Sequence, residues 1–212
     1  VACLCALPGG MLASGGEDGT IRLWSEGRCV RTLLGHDDFV TALAAGPTAG
    51  SLASGSLDWD VRTWETATGR CTATLEGHEG GVFCVAALPD GTLASGSADG
   101  TVKLWRGPRC EATLPAERKE AEVRAGAEAE AEADAEDDAT AEKGRRVLSL
   151  AVLPDGALAS GSSDGKIRLW ECSTGKVRRE FSHHAGSVRA LLALPNGQLV
   201  SGSHDGDVRA LE

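Results

Sequence analysis

Serine, aspartate and histidine occur close together in this sequence, and these residue types are the ingredients of a hydrolytic triad. The segment LASGSADGTVKLW contains Ser95 and Asp99, and His78 precedes it in GHEGGV. In a triad the histidine takes the proton of the serine while the carboxylate orients the imidazole. The first question is therefore whether these residues perform chemistry or support the fold.

The same serine and aspartate recur along the chain. The five segments are SGGEDGTIRLW from Ser14, SGSLDWDVRTW from Ser54, SGSADGTVKLW from Ser95, SGSSDGKIRLW from Ser160 and SGSHDGDVRAL from Ser201. Their last residues are spaced by 40, 41, 65 and 41 positions, so one period contains an insertion. A triad is needed once, whereas Ser-x-x-x-Asp occurs in every segment and a histidine at the matching position in three. Recurrence at a fixed period indicates a role in the fold.

The local patterns inside a unit are those of β-strands. VFCVAALPDG predicts a short apolar strand that ends in a turn, and TLASGS predicts a second strand. The dipeptide DG predicts a tight hairpin into TVKLW, whose apolar residues alternate, and EATL can supply a fourth strand. Four antiparallel strands in each unit describe one blade of a β-propeller.

The segments GHDDFVTALAAGP…LASGSLDWDVRTW and GHEGGVFCVAALPDGTLASGSADGTVKLW resemble WD-repeat proteins. The resemblance implies an all-β propeller of four-stranded antiparallel blades. Residues 1–114 would form three blades and 146–212 two more, with 115–145 as an insertion in one domain. The chain starts at an innermost strand and stops after a third strand, so we expect an incomplete ring or arc whose missing blades are encoded elsewhere.

In the family that the sequence resembles, a buried hydrogen-bond network links a histidine, a serine, the hairpin aspartate and the third-strand tryptophan. Carried over by position, two sets are complete: His36, Ser54, Asp58 and Trp64, then His78, Ser95, Asp99 and Trp105. Three sets are incomplete: Ser14, Asp18 and Trp24; Ser160, Asp164 and Trp170; and His184, Ser201 and Asp205. The first serine of each SGS is favoured, although the second remains an alternative.

The missing members predict weaker blades at the ends and after the insertion. The first unit has no histidine in this sequence. The fourth has Arg145 and Arg146 where Gly-His would stand, and the fifth has Leu211 in place of tryptophan.

The insertion is acidic, with eleven acidic and five basic residues between positions 115 and 145. Alternating Ala and Glu gives neither strand periodicity nor an amphipathic stripe. One interpretation is a solvated, partly helical or disordered loop. The other is an acidic docking segment for a basic partner.

The net charge of -10 argues against nucleic-acid binding and against an acidic membrane surface. The longest apolar runs are too short to span a membrane. The seven cysteines are scattered and favour a reducing compartment, cytoplasmic or nuclear. Cys3 and Cys5 form C-x-C, but a metal site would need two further ligands. No cofactor and no small-molecule substrate are expected.

No phosphate loop or catalytic signature is present in the sequence, so we expect a non-catalytic protein-interaction scaffold. The alternative is the substrate- or ubiquitin-recognition part of a larger enzyme or ubiquitin-ligase assembly. The family resemblance implies binding through the loops at one end, where residues that vary between units could specify a protein partner. These are Glu17, Leu57, Ala98, Ser163 and His204 before the hairpin aspartates, and Phe39, Gly81, Arg146 and Ser187 before the first strands.

Trp59 stands where the other hairpins have glycine. We expect Phe39, Leu57 and Trp59 to form one apolar patch that contacts the partner, because tryptophan is common in binding hot spots. The alternative is that Phe39 and Trp59 cover each other or fill the seam with an adjacent blade.

Overall fold

The computed structural model describes residues 1–115 and 145–211, and in this part of the chain the regular structure is almost entirely β. The first three units contain β1 Cys3–Leu7, β2 Met11–Gly15, β3 Ile21–Ser25, β4 Arg28–Leu33, β5 Val40–Ala45, β6 Ser51–Ser56, β7 Val61–Glu65, β8 Cys71–Leu75, β9 Val82–Ala87, β10 Leu93–Ser97, β11 Thr101–Arg106 and β12 Arg109–Pro115. The last two contain β13 Val147–Val152, β14 Leu158–Ser162, β15 Ile167–Glu171, β16 Lys176–Phe181, β17 Val188–Ala193, β18 Leu199–Ser203 and β19 Val208–Leu211. One 3-10 turn, Pro8–Gly10, joins β1 to β2.

Each unit forms its own antiparallel sheet with the strands in chain order. The first four sheets have four strands, and the fifth has three within the described residues. The prediction of an all-β fold built from repeated antiparallel sheets is confirmed. The predicted insertion at 115–145 falls almost entirely on 116–144, which lie outside the described residues.

The turn chemistry of the sequence sets the hairpins. In the third unit the amide of Gly91 donates to the carbonyl of Leu88 at 3.1 Å, and Gly91 has a φ of 87°. Only glycine adopts this conformation without strain. The Pro-Asp-Gly segment therefore reverses the chain between β9 and β10.

The hydrophobic core lies between successive sheets. Trp64, for example, belongs to the second sheet but packs in a cluster with Ile21 and Leu33 of the first. Trp105 packs in the same way against Val61 and Leu75 of the second sheet. The third-strand aromatic residue thus joins its own sheet to the preceding one.

A glycine–valine contact recurs at each of these seams. A Cβ built on Gly161 of β14 would lie 2.6 Å from Val188 of the next sheet, and a Cβ on Gly55 would lie 2.6 Å from Val82. The valine fits only because the facing residue has no side chain. Gly202, the fifth member of the series, has no atom nearer than 3.7 Å to such a Cβ.

The inner strands β1, β5, β9, β13 and β17 contact one another in chain order. The two end sheets expose large apolar side chains: Leu4 of β1 is 68% accessible and Leu192 of β17 is 59% accessible. The sheets form an open arc, as the sequence predicts.

Candidate functional site: a loop-end surface and its polar support

The second unit holds a continuous chain of short hydrogen bonds. Nδ1 of His36 lies 2.7 Å from Oδ2 of Asp58, and Nε2 of His36 lies 2.7 Å from Oγ of Ser54. Nε1 of Trp64 donates to the same Oγ at 2.8 Å. The loop before β5, the second strand, the hairpin and the third strand are therefore tied together by one network.

The donors and acceptors fix the direction of this network. Trp64 can only donate, and an ionised Asp58 can only accept, so Nδ1 of His36 carries the proton. Burial lowers the pKa of His36, which favours a neutral ring whose Nε2 accepts from Ser54. Burial alone would raise the pKa of Asp58, but the hydrogen bond from His36 holds it below its ordinary value.

Ser54, His36 and Asp58 have the connectivity of a hydrolytic triad, but the nucleophile is inaccessible. Ser54 is 0% exposed, and the indole N–H of Trp64 occupies its oxygen. An acyl substrate could not approach this hydroxyl without unfolding the seam. The arrangement supports the loops and strands instead.

The third unit repeats this geometry. Nδ1 and Nε2 of His78 lie 2.7 Å from Asp99 and 2.7 Å from Ser95, and Trp105 donates to Ser95 at 2.8 Å. Thr101 adds a hydroxyl donor to Asp99 at 2.7 Å. Burial opposes ionisation of Asp99, yet the hydrogen bonds from His78 and Thr101 hold its pKa far below the ordinary range.

The fifth unit keeps three members of the network and lacks the indole. His184 lies 3.0 Å from Asp205 and 2.8 Å from Ser201. Leu211 fills the position of the tryptophan, so Ser201 receives no indole donor. Its hydroxyl is 3.4 Å from the carbonyl of Arg209.

In the first and fourth units an arginine takes the place of the histidine. Trp24 and Trp170 donate to Ser14 and Ser160 at 2.8 Å each. The hairpin aspartates bind third-strand arginines: Arg22 to Asp18 at 2.8 Å and Arg168 to Asp164 at 2.9 Å. In every unit the first serine of the segment contacts the indole or the histidine. Where a second serine is present, it accepts from the hairpin aspartate amide or from Arg168 instead.

Arg168, like Arg22, is a member of these networks that the sequence does not single out. It is 2% exposed and makes ion pairs with Asp164 and with Glu180 at 3.0 Å, while Ser162 accepts from it at 3.2 Å. Arg145 also reaches Asp164 at 3.4 Å. The sequence predicts a weaker fourth unit because Gly-His is missing, and in the structure Arg168 and Arg145 contact its hairpin aspartate in place of a histidine.

The variable loop residues lie in pairs at one end of the sheets. The residue before each hairpin aspartate donates its amide to the carbonyl of the residue before the first strand. These pairs are Leu57 to Phe39 at 3.0 Å, Ala98 to Gly81 at 2.8 Å, Ser163 to Arg146 at 2.9 Å and His204 to Ser187 at 2.9 Å. Glu17, which has no such partner in the first unit, is exposed in the equivalent hairpin.

The second unit presents the largest apolar side chains at this end. Trp59 is 54% exposed and Phe39 is 41% exposed, whereas Leu57 is half-buried near Gly81 of the next unit. Trp59 has a φ of 76°, in the left-handed region that the other hairpins fill with glycine. We call Phe39, Leu57 and Trp59 the loop-end patch.

Within residues 1–115 and 145–211, no cluster of three or more His, Cys, Asp or Glu could hold a metal ion. None of the helical segments in that part of the chain is long and apolar enough to cross a membrane. All seven cysteines are unpaired, and burial raises the pKa of Cys3 to about 11.

Antiparallel sheets that pack face to face in chain order, each carrying a hairpin aspartate beneath a loop end, are blades of a β-propeller. Comparison with known families is consistent with this class. The family described as "WD domain, G-beta repeat" matches residues 1–25, 27–65, 69–106, 140–171 and 175–210. The chain belongs to this family.

Curated relatives include the WD repeat-containing protein VIP3 of Arabidopsis thaliana, 34% identical over 85% of this chain and 54% of that protein. Nuclear distribution protein PAC1 of Arthroderma benhamiae is 32% identical over 85% of this chain and 42% of its own length. Mitochondrial division protein 1 of Aspergillus clavatus is 28% identical over 79% of this chain and 37% of its own length. The chain thus spans about half or less of these relatives.

Among solved structures, the crystal structure of the WD40 beta propeller domain of Doa1 superimposes with a TM-score of 0.77 at 27% identity. The match covers 99% of this chain and 64% of that one. The predicted WD-repeat fold is confirmed.

Proposed function

We propose that this chain is a non-catalytic scaffold that binds a protein partner through the loop-end patch. The observation that supports this proposal most strongly is Trp59, which combines a left-handed backbone with an exposed side chain. A non-glycine residue in the left-handed region costs about 1–2 kcal/mol, and Trp59 is 54% exposed in this structure. Strain of this kind persists where a site requires it, and exposed apolar clusters mark interaction surfaces.

The polar networks support this function because they hold the loops rigidly. His36 and Asp58 connect the loop that carries Phe39 to the hairpin that carries Trp59. A loop that is ordered before binding loses less conformational entropy when the partner arrives. The remaining variable positions that would adjust specificity are Glu17, Arg146, Ser163 and His204.

The charges around the loop-end patch favour a partner segment that is basic as well as apolar. Asp37 and Asp38 are exposed directly before Phe39, and Glu79 is exposed on the neighbouring loop. Carboxylates around an apolar centre would attract lysine and arginine beside a buried anchor. We place the scaffold in the cytoplasm or nucleus, in keeping with its unpaired cysteines.

We further propose that the blades of residues 1–114 and 146–212 form one propeller domain interrupted by 115–145. The ends of this insertion meet the domain at β12 and β13, in neighbouring sheets. Replacing the insertion with a short Gly-Ser linker should therefore leave the cooperativity of unfolding unchanged.

A pull-down that compares the wild type with Trp59→Gly tests the binding site. Glycine is the residue of the other hairpins, so folding should be retained. Leu192→Ser is the matched control, because Leu192 is also exposed but lies on β17. We expect partners that Leu192→Ser retains to be lost with Trp59→Gly; equal recovery with both variants would refute the loop-end patch.

A further inference from the structure

The loops and hairpins of neighbouring units form one continuous row at the loop end, which is the end of the sheets that carries the loop-end patch. A Cβ built on Gly19 of the first hairpin would lie 2.7 Å from the carbonyl oxygen of His36, in the loop before the second unit. Leu57 of the second hairpin lies against the loop before the third unit in the same way. A Cβ on Gly100 of the third hairpin would lie 3.3 Å from the carbonyl oxygen of Arg145. The row therefore continues across the seams from the first unit to the start of the fourth.

The charges along this row change sign between the third and the fourth unit. The loop and hairpin segments of the first three units contain nine acidic residues and no lysine or arginine. These segments are 15–20, 34–39, 56–60, 76–81 and 97–100. Arg145 and Arg146 then stand directly before the first strand of the fourth unit. The row thus has a long acidic part and a basic end.

The acids around Phe39 have no cationic partner. Asp37, Asp38 and Glu79 are exposed, and none of them forms an ion pair within residues 1–115 and 145–211. Oδ1 of Asp38 accepts from the amide of Phe39 at 2.7 Å, which fixes this carboxylate at the loop-end patch. These charges are therefore free to bind a cation of another molecule.

Asp60 places a further carboxylate directly after Trp59. Arg62 approaches it at 3.3 Å, but burial and the nearby carboxylates of Asp58 and Glu76 raise the pKa of Asp60. The acids of this hairpin thus repel one another, and a cation bound beside them would reduce the repulsion. The face of a tryptophan ring also attracts lysine and arginine. A cation at Trp59 would therefore be stabilised by both the ring and the carboxylates.

Arg146 offers the opposite charge. It is exposed and forms no ion pair in the part of the chain that the structure describes, whereas its neighbour Arg145 reaches Asp164 at 3.4 Å. It precedes the first strand of the fourth unit as Phe39 precedes that of the second. Because sheets that pack face to face are about 10 Å apart, the two seams between these units separate the two residues by about 20 Å. An extended chain covers this distance with about six residues.

We propose that the loop end binds an extended segment of a partner protein that carries lysine or arginine beside an apolar residue and, about six residues away, a glutamate or aspartate. The apolar residue and the cations bind the loop-end patch and its carboxylates, and the acid binds Arg146. This inference rests on the proposed function, because it uses the same surface, and it adds the charge pattern of the partner. Charges that match in this order discriminate against segments with another pattern.

Three fluorescent peptides with amidated C-termini test the charge pattern. KLRSGSGE contains the cations and the acid, KLRSGSGQ lacks the acid, and NLQSGSGE lacks the cations. Binding to the 212-residue chain is measured by fluorescence anisotropy at low and at high salt, for the wild type and for Trp59→Gly, Arg146→Ala and Arg109→Ala. Arg109 is the matched control, because it is exposed at the opposite end of the third sheet. Circular dichroism verifies that each variant is folded.

We expect KLRSGSGE to bind about two- to fivefold more tightly than KLRSGSGQ, as for one exposed ion pair. Arg146→Ala should make these two affinities equal, whereas Arg109→Ala should leave their ratio unchanged. NLQSGSGE should bind more weakly than KLRSGSGE, and the difference should shrink at high salt. Trp59→Gly should weaken the binding of all three peptides.

Two outcomes separate this inference from the proposed function. If Trp59→Gly weakens binding but Arg146→Ala leaves the ratio of KLRSGSGE to KLRSGSGQ unchanged, the loop-end patch is a binding site and the charge pattern is wrong. If KLRSGSGE binds and Trp59→Gly has no effect, both proposals are overturned. Equal binding of NLQSGSGE and KLRSGSGE, or no saturation of KLRSGSGE at millimolar concentration, also overturns the charge pattern.

Discussion

Nη2 of Arg168 lies 2.9 Å from Oδ2 of Asp164, in the fourth unit, which lacks the Gly-His segment of the second. His36 holds Asp58 at 2.7 Å in that second unit. A buried guanidinium in the fourth unit and a buried imidazole in the second thus bind equivalent hairpin carboxylates.

Arg168→Met should lower the free energy of unfolding by about 3 kcal/mol, because it leaves carboxylates without their buried partner. Arg22→Met is the matched control: its ion pair with Asp18 is exposed, and we expect a much smaller loss because solvent and salt screen such a pair. Urea denaturation measures both. Equal losses would contradict a special role for Arg168.

Gly161→Ala should destabilise the chain, because the added Cβ would lie 2.5 Å from Ser149 and 2.6 Å from Val188. Overpacking of this kind costs about 1–3 kcal/mol. Gly202→Ala should be tolerated, since the nearest atom is at 3.7 Å. Thermal melts of the pair test the open end of the arc, and a comparable loss for Gly202→Ala would show that its face is covered.

His36 should make stability depend on pH. Its pKa is lowered by burial, so between its folded value and about 6.5 the unfolded chain binds a proton that the folded chain does not. The contribution of His36 is therefore present above about pH 6.5 and is lost as the pH falls through this window. His36→Gln should flatten the decrease in the free energy of unfolding between pH 7.5 and pH 5.5; an unchanged slope would contradict the assignment.

Trp59→Gly should raise the free energy of unfolding by about 1 kcal/mol, because it relieves the left-handed backbone of a bulky residue. The measurement is chemical denaturation of the free protein. A variant less stable than the wild type would show that the Trp59 ring stabilises the fold by packing. That result would contradict its assignment as an exposed binding anchor.

Much of the fold and the shared network could be predicted from the sequence because they repeat. Ser54, Asp58 and Trp64 are recognisable by comparison with Ser95, Asp99 and Trp105, and the DG and PDG turns delimit the strands. Residues that every unit requires recur at the repeat period, so they can be recognised by comparing the units of one sequence.

The role of Arg168 could not be predicted because its position is basic in other units too. Arg62 and Arg209 stand at the same register, yet they turn to Asp60 at 3.3 Å and Asp207 at 2.8 Å. The hairpin aspartates of those units are already bound by histidines. Those two units also have a second aspartate two residues before the arginine, where the fourth unit has Lys166. The acid that an arginine binds therefore depends on this local residue and on whether a histidine already holds the hairpin aspartate.

The central claim is that the repeated serine, histidine and aspartate support the fold and do not catalyse hydrolysis. Ser95→Ala tests it most directly, with thermal unfolding and hydrolysis of an activated ester measured on the same preparation. We expect a lower melting temperature, equivalent to about 1–3 kcal/mol for buried partners left unsatisfied, and an unchanged rate of ester hydrolysis. An unchanged melting temperature together with the loss of a hydrolytic activity would contradict the claim.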